Sequence, residues 1–318
     1  MAPSNSKLHA YLELLRLPNV FTAIADVMMG YWFVTWSPIR KDLPPAEMGI
    51  LLLLAIASSC LYLAGMVLND YFDRNKDMRE RPTRPIPSRR VPESAALWMG
   101  SELVIIGVAI SWLVSFFAAT PLTGLVAFAL AFAVIFYDGF LKKTWLGPIG
   151  MGACRMLNIL MGMTAAGAGL SPADSTVHYV VAGGIGIYVV GITWFARTEA
   201  NQSHRGQLLA SLVVMLLGMT TLAAFPNMLP QSETFVATKM NVWYAFWSLI
   251  ALQITWRCSR AIFRPSPERV QFAVKTCLLS LIVLDATIMF AVQGQDKAFL
   301  LLALLIPTLF LGRFIHST

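Results

Sequence analysis

The chain has 318 residues, of which 57% are hydrophobic and 13% charged, with a mean hydropathy of +0.65. A water-soluble domain carries about a quarter charged residues, so this composition excludes one and marks an integral membrane protein. The net charge of +7 does not point to nucleic acid, because the basic residues gather in alternate loops between apolar stretches, the topology signal of a polytopic membrane protein.

Apolar stretches near the roughly 20 residues needed to cross a bilayer recur along the whole chain. The expectation is therefore one all-α membrane domain over residues 1–318, with no soluble appendage. Residues 1–7 are polar, and no small-residue cleavage signal follows the first apolar stretch, so a removed signal peptide is not expected. The four cysteines, Cys60, Cys154, Cys258 and Cys277, lack metal-type spacing and read as small packing residues.

The first segment, residues 20–36, is introduced by Arg16-Leu17-Pro18-Asn19 and carries Asp26. Asp26 lies seven residues after Asn19, so the two present to a similar side. Asp26 is a candidate to bind an acceptor or to take up a proton; the plainer reading is a hydrogen bond that orders the bundle.

The second segment runs from residue 48 through the apolar run 49–68 into Asn69-Asp70-Tyr71-Phe72-Asp73-Arg74-Asn75-Lys76-Asp77, followed by Arg79, Arg81 and Arg84. On a continuing helix Asp70, Asp73 and Asp77 share one face, with Asn69 close to Asp73. Three anions on one face are tolerable only with cations among them. Hard carboxylate oxygens suit Mg²⁺, which keeps several waters and takes further oxygens from substrate phosphates. The neighbouring arginines offer planar forks to phosphate. Acids, metal and bases together describe a diphosphate site; the plainer reading is a solvated helix end whose acids pair with nearby bases.

The third segment covers residues 92–118. The fourth, 122–137, ends in Tyr137-Asp138-Gly139-Phe140-Leu141-Lys142-Lys143, where the lysines either neutralise phosphate or anchor the helix at the interface. The fifth, 149–169, holds Arg155 and Asn158. An ionisable group inside a segment is expensive, so Arg155 should face a cavity or a partner, with Asp138 the partner considered. The sixth, 178–196, runs into Arg197-Thr198-Glu199-Ala200-Asn201-Gln202-Ser203-His204-Arg205. Segments at 207–225, 241–262, 270–292 and 298–314 complete the chain; Lys275 and Asp285 lie within the ninth and are not assigned.

Ten crossings with both termini inside put most of the 24 Lys and Arg residues in cytoplasmic loops, leaving Arg40, Lys41, Lys239 and Lys297 outside. Nine crossings result if one late segment is re-entrant. In either case the carboxylate stretch, Lys142 and the loop from Arg197 to Arg205 share the cytoplasmic side.

Asn69-Asp70-x-x-Asp73-x-x-x-Asp77 followed by Arg81-Pro82-Thr83-Arg84-Pro85 resembles the first aspartate-rich motif of the UbiA superfamily of intramembrane prenyltransferases. Arg16-x-Pro18-Asn19, Tyr137-Asp138-x-x-Leu141-Lys142 and Gly152-x-x-Arg155-x-x-Asn158 are similar to other positions of that family. The resemblance implies nine to ten helices around a central cavity, with Asp70, Asp73 and Asp77 holding Mg²⁺ on a prenyl diphosphate. Lys142, Arg84 and Arg155 are the candidates to neutralise the leaving diphosphate. Asn19, Asp26, Asn69, Arg81, Tyr137, Asn158, Arg197, Glu199 and Arg205 are candidate substrate contacts, and the isoprenoid tail lies among apolar helices. The second acidic motif of the family is degraded here, with Glu199 its only acid. That departure is similar to the divergent EboC-like branch and implies one firm metal, the second being weak, absent or replaced by Arg197 or Arg205.

The function expected is Mg²⁺-dependent transfer of an isoprenyl group from a prenyl diphosphate to a hydrophobic or aromatic acceptor in a membrane lipid setting, without nucleic acid. The alternatives are a terpene cyclase and a non-catalytic carrier of isoprenoid lipid.

Overall fold

The computed structural model describes residues 7–35, 45–170, 172–197, 204–229, 234, 236 and 239–313, and every regular element among them is a helix. In chain order these are α1 (Lys7–Leu15), α2 (Val20–Val34), α3 (Pro45–Glu80), α4 (Glu93–Phe117), α5 (Leu122–Gly139), α6 (Gly147–Ala165), α7 (Pro172–Ala196), α8 (Arg205–Ala224), α9 (Met240–Phe263), α10 (Pro267–Gln293), α11 (Gln295–Ala303) and α12 (Leu305–Leu311). A chain in hydrocarbon must pair its own backbone groups, and helices do so within each segment. Among the described residues seven helices are long and apolar enough to cross a membrane. The protein is an integral, multi-pass membrane protein.

All ten predicted segments fall on helices, and two details differ from the sequence reading. A short helix, α1, precedes the first segment. The tenth segment is broken into α11 and α12. Pro307 explains the break: it has no N–H for the carbonyl of Ala303, and its ring crowds that carbonyl.

Sequence neighbours from α2 to α10 pack in succession, and α10 returns against α2, closing the arrangement. Helices α2 and α6 touch across it, and α6 is almost wholly buried. That contact depends on Gly30 and Gly162, because a methyl group on either would collide with the backbone of the facing helix, at Ile159 and Val27 respectively. Small residues of this kind let membrane helices approach closely. The outer faces of α4 and α5 are rich in exposed phenylalanine, leucine and tryptophan, the surface expected against lipid and not against water. The four cysteines are free thiols.

Helix α3 outruns the membrane. Its 36 residues span about 54 Å at 1.5 Å per residue, against a hydrocarbon core of about 30 Å. The apolar part is spent before Asn69, so the acidic turns emerge beyond it.

Candidate functional site

The carboxylates at the end of α3 are turned inward, with Asp70 and Asp77 buried and Asp73 half-buried. Each meets a cation delivered from elsewhere in the chain. Arg16 Nη2 lies 2.6 Å from Asp70 Oδ1. Arg84 Nη1 reaches Asp77 Oδ2 at 2.7 Å and Asp70 Oδ1 at 3.3 Å. Lys142 Nζ pairs with Asp73 Oδ1 at 2.9 Å and donates to Asn69 Oδ1 at 2.9 Å. Three acids are balanced by three bases, which is how like charges can share one helix face.

Local structure aims these cations. Pro82, Pro85 and Pro87 end α3 and force the following chain into turns, with Arg84 N–H donating to Arg81 carbonyl. That fold brings Arg84 back over the helix it has just left. Arg16 sits between α1 and the single 3₁₀ turn Leu17–Asn19 with φ 48° and ψ 45°, which turns its side chain onto α3. Lys142 lies in the 3₁₀ turn Leu141–Lys143 and faces inward, whereas Lys143 is exposed. The two lysines thus divide: one serves the carboxylates, the other the interface.

Below this layer lies a cavity of about 1320 Å³. Arg16, Asn19, Asn69, Arg81 and Arg84 line it near the acidic turns, together with Tyr137 of α5. Leucine, valine, methionine and isoleucine from α3, α5, α7 and α10 form much of its wall, interrupted by Asp138, Thr193, Gln271 and Lys275. The hollow therefore combines cationic side chains beside the acidic turns with long apolar walls, surroundings that suit an amphiphile with a charged head.

Arg155 and Asn158 reach the cavity from α6. The partner of Arg155 is Asp26 and not Asp138: Arg155 Nη1 donates to Asp26 Oδ2, Nη2 donates to Thr22 Oγ1 at 2.7 Å, and the guanidinium lies 5.5 Å from the Tyr62 ring. Asp26 is fully buried and does not line the cavity; it holds Arg155, which does. Asn158 donates to Ala23 carbonyl and accepts from Ser58, tying α6 to α2 and α3. Asp285 of α10 is buried beside Asp26, its oxygens without a hydrogen-bond donor among the described residues.

Several sequence expectations resolve differently. Arg197 and Arg205 are exposed and do not line the cavity, and Glu199 lies outside the described residues. Lys275, unassigned in the sequence, lines the cavity from α10, as does Tyr62 from α3. A lysine inside an apolar segment was itself a signal of a cavity-facing group; Tyr62 carried none.

The donor set suits Mg²⁺ chemically. Among the described residues no three His, Cys, Asp or Glu side chains converge as a ready cage, because each carboxylate engages its cations. It does so through one oxygen only, Asp70 Oδ1, Asp73 Oδ1 and Asp77 Oδ2, so a second hard oxygen on each remains for a metal.

The sequence profile of the UbiA prenyltransferase family matches residues 27–275. The digeranylgeranylglyceryl phosphate synthase of Methanosarcina barkeri is 29% identical over 170 residues, covering 51% of this chain and 57% of that protein. The synthase of the same name from Methanoregula boonei is 40% identical over 96 residues, covering 30% of this chain and 32% of that protein. Among the first of these curated relatives, the matched stretch spans about half of their length. A solved UbiA homolog from Aeropyrum pernix K1 superposes with TM-score 0.64 at 16% identity, covering 85% of this chain and 96% of that one. A homolog from Archaeoglobus fulgidus bound to DMAPP and Mg²⁺ superposes with TM-score 0.59 at 14% identity, covering 88% and 98%. At these identities the likeness establishes the fold.

Proposed function

Because the chain belongs to the UbiA prenyltransferase family, we propose that it transfers an isoprenyl group from a prenyl diphosphate to a hydrophobic acceptor inside the membrane, with Mg²⁺. The observation that carries this reading is the cluster of inward-turned carboxylates and cations, of which Arg16 and Arg84 also line a large cavity with long apolar walls. Relatives named for a synthase of a diprenylated glyceryl phosphate, and a structural neighbour bound to DMAPP and Mg²⁺, support the same donor chemistry.

Asp70, Asp73 and Asp77 would hold the ion through the oxygens their ion pairs leave open. Mg²⁺ bound there supplies neutralising charge for a departing diphosphate. The remaining work falls to the chain. Arg84, Arg16 and Lys142 meet the diphosphate oxygens as the allylic carbon–oxygen bond breaks and its electron pair leaves with the diphosphate. The apolar walls exclude water from the allylic cation. Tyr137 and Tyr62 present aromatic faces that stabilise positive charge. The acceptor's nucleophilic atom then bonds to that carbon and gives up its proton to the departed diphosphate. The alternation of basic loops in the sequence supports a cytoplasmic position for this end of the bundle, where a soluble diphosphate head can enter.

Incubating the purified protein with prenyl diphosphates of graded length, with and without Mg²⁺, tests the reading. Metal-dependent diphosphate release with a prenylated acceptor is expected. A cyclic product formed from prenyl diphosphate alone would replace transfer by cyclisation, and binding without any release would replace it by carriage.

A further inference from the structure

We infer that the hollow at the turn between α9 and α10 binds the phosphate of an anionic membrane lipid. It has a volume of about 480 Å³ and is lined by Arg257, Arg260, Arg264 and Arg269, with Glu268 the single acid. Among the described residues none of these arginines forms an ion pair, in contrast to Arg16, Arg84 and Arg155. Four guanidinium groups gathered around one carboxylate leave an excess of positive charge that repels itself, and an anion relieves that repulsion. The Nε of Arg257 is buried with no hydrogen-bond partner among the described residues, a donor that burial leaves wanting an acceptor.

Aromatic rings orient the arginines. Arg257 lies 4.8 Å from the Trp256 ring and 5.2 Å from that of Phe272, and Arg260 lies 5.2 Å from Trp256. Stacking uses the faces of the guanidinium planes and leaves their N–H edges for phosphate oxygens. The same aromatics distinguish a lipid from a soluble phosphate. Trp256, Phe263 and Phe272 are more than half exposed, an apolar rim that a free phosphate cannot use and that a glycerol backbone and acyl chain can cover. Basic pockets between helix ends at the membrane surface are suited to such headgroups. Glu268 and Phe272 also line the large cavity, so a lipid held here stands beside the proposed reaction chamber, on residues distinct from Asp70, Asp73 and Asp77.

Full-length protein in phosphatidylcholine nanodiscs doped with acyl-brominated lipid provides the test, read as the Trp256 fluorescence that disappears in Trp256→Phe. Brominated phosphatidylglycerol should quench this component more strongly than brominated phosphatidylcholine. In the double variant R257Q/R260Q that preference should fall about tenfold or more, since each cation near the surface contributes appreciably. Should the double variant not fold, Arg260→Gln alone, at an exposed position, should show a smaller fall. Equal quenching by the two lipids, or an unchanged preference in the variants, would overturn the inference. Loss of the preference on adding inorganic phosphate would also overturn it, by assigning the hollow to a soluble anion.

Discussion

Lys142 Nζ lies 2.9 Å from Asp73 Oδ1, so the turn after α5 is fastened to the acidic end of α3 across 69 residues of chain. Its neighbour Lys143 is exposed and takes no part. Lys142→Ala should therefore slow diphosphate release by about 10²-fold or more, the usual effect of removing one preorganised charge from a transition state. Lys143→Ala should leave it unchanged. Equal rates in the two variants would assign both lysines to interfacial anchoring.

Chelation should abolish turnover, and added Mg²⁺ should restore it. Asp70→Ala and Asp73→Ala should each lose about 10²-fold or more of the Mg²⁺-dependent rate. Measured by coupled diphosphate assay, undiminished turnover in either variant would remove that carboxylate from the metal site.

Arg155 and Asp26 form an ion pair buried between α6 and α2. Removing Arg155 leaves a carboxylate in a water-free interior, so Arg155→Ala should cost about 3–5 kcal/mol of stability. Replacing both partners by apolar residues, as in R155M/D26L, should recover much of that loss, because no uncompensated charge remains. Unfolding in detergent micelles gives both values, and a double variant weaker than R155A would contradict the argument.

Gly162 packs against the backbone at Val27. Gly162→Ala should force α2 and α6 apart and destabilise the protein by about 1–3 kcal/mol, as overpacking does elsewhere. Gly206, with open space around its Cα, is the matched control: Gly206→Ala should not destabilise. Thermal denaturation of the two variants decides the matter.

The helices were legible because hydrocarbon imposes one length and one periodicity on each crossing. The acidic face was legible because Asp70, Asp73 and Asp77 need only a continuing helix to align. The partner of Arg155 was not, since Asp26 lies 129 residues away and no local spacing encodes an interhelical contact. Tyr62 was hidden for a related reason: a tyrosine in an apolar run looks the same whether it faces lipid or a cavity. The divided last segment was written in Pro307, which hydropathy alone passes over. Nor does sequence reveal which cation meets which acid, because that depends on where the turns at Arg84 and Lys142 come to rest.

At Arg16 two requirements conflict. The left-handed backbone there suits glycine or asparagine and costs a long side chain about 1 kcal/mol or more, yet the residue must carry a guanidinium to meet Asp70. Arg16→Gly should therefore produce a protein that is more relaxed at this corner and less able to do its chemistry. The hinge between the first two helices trades comfort for charge.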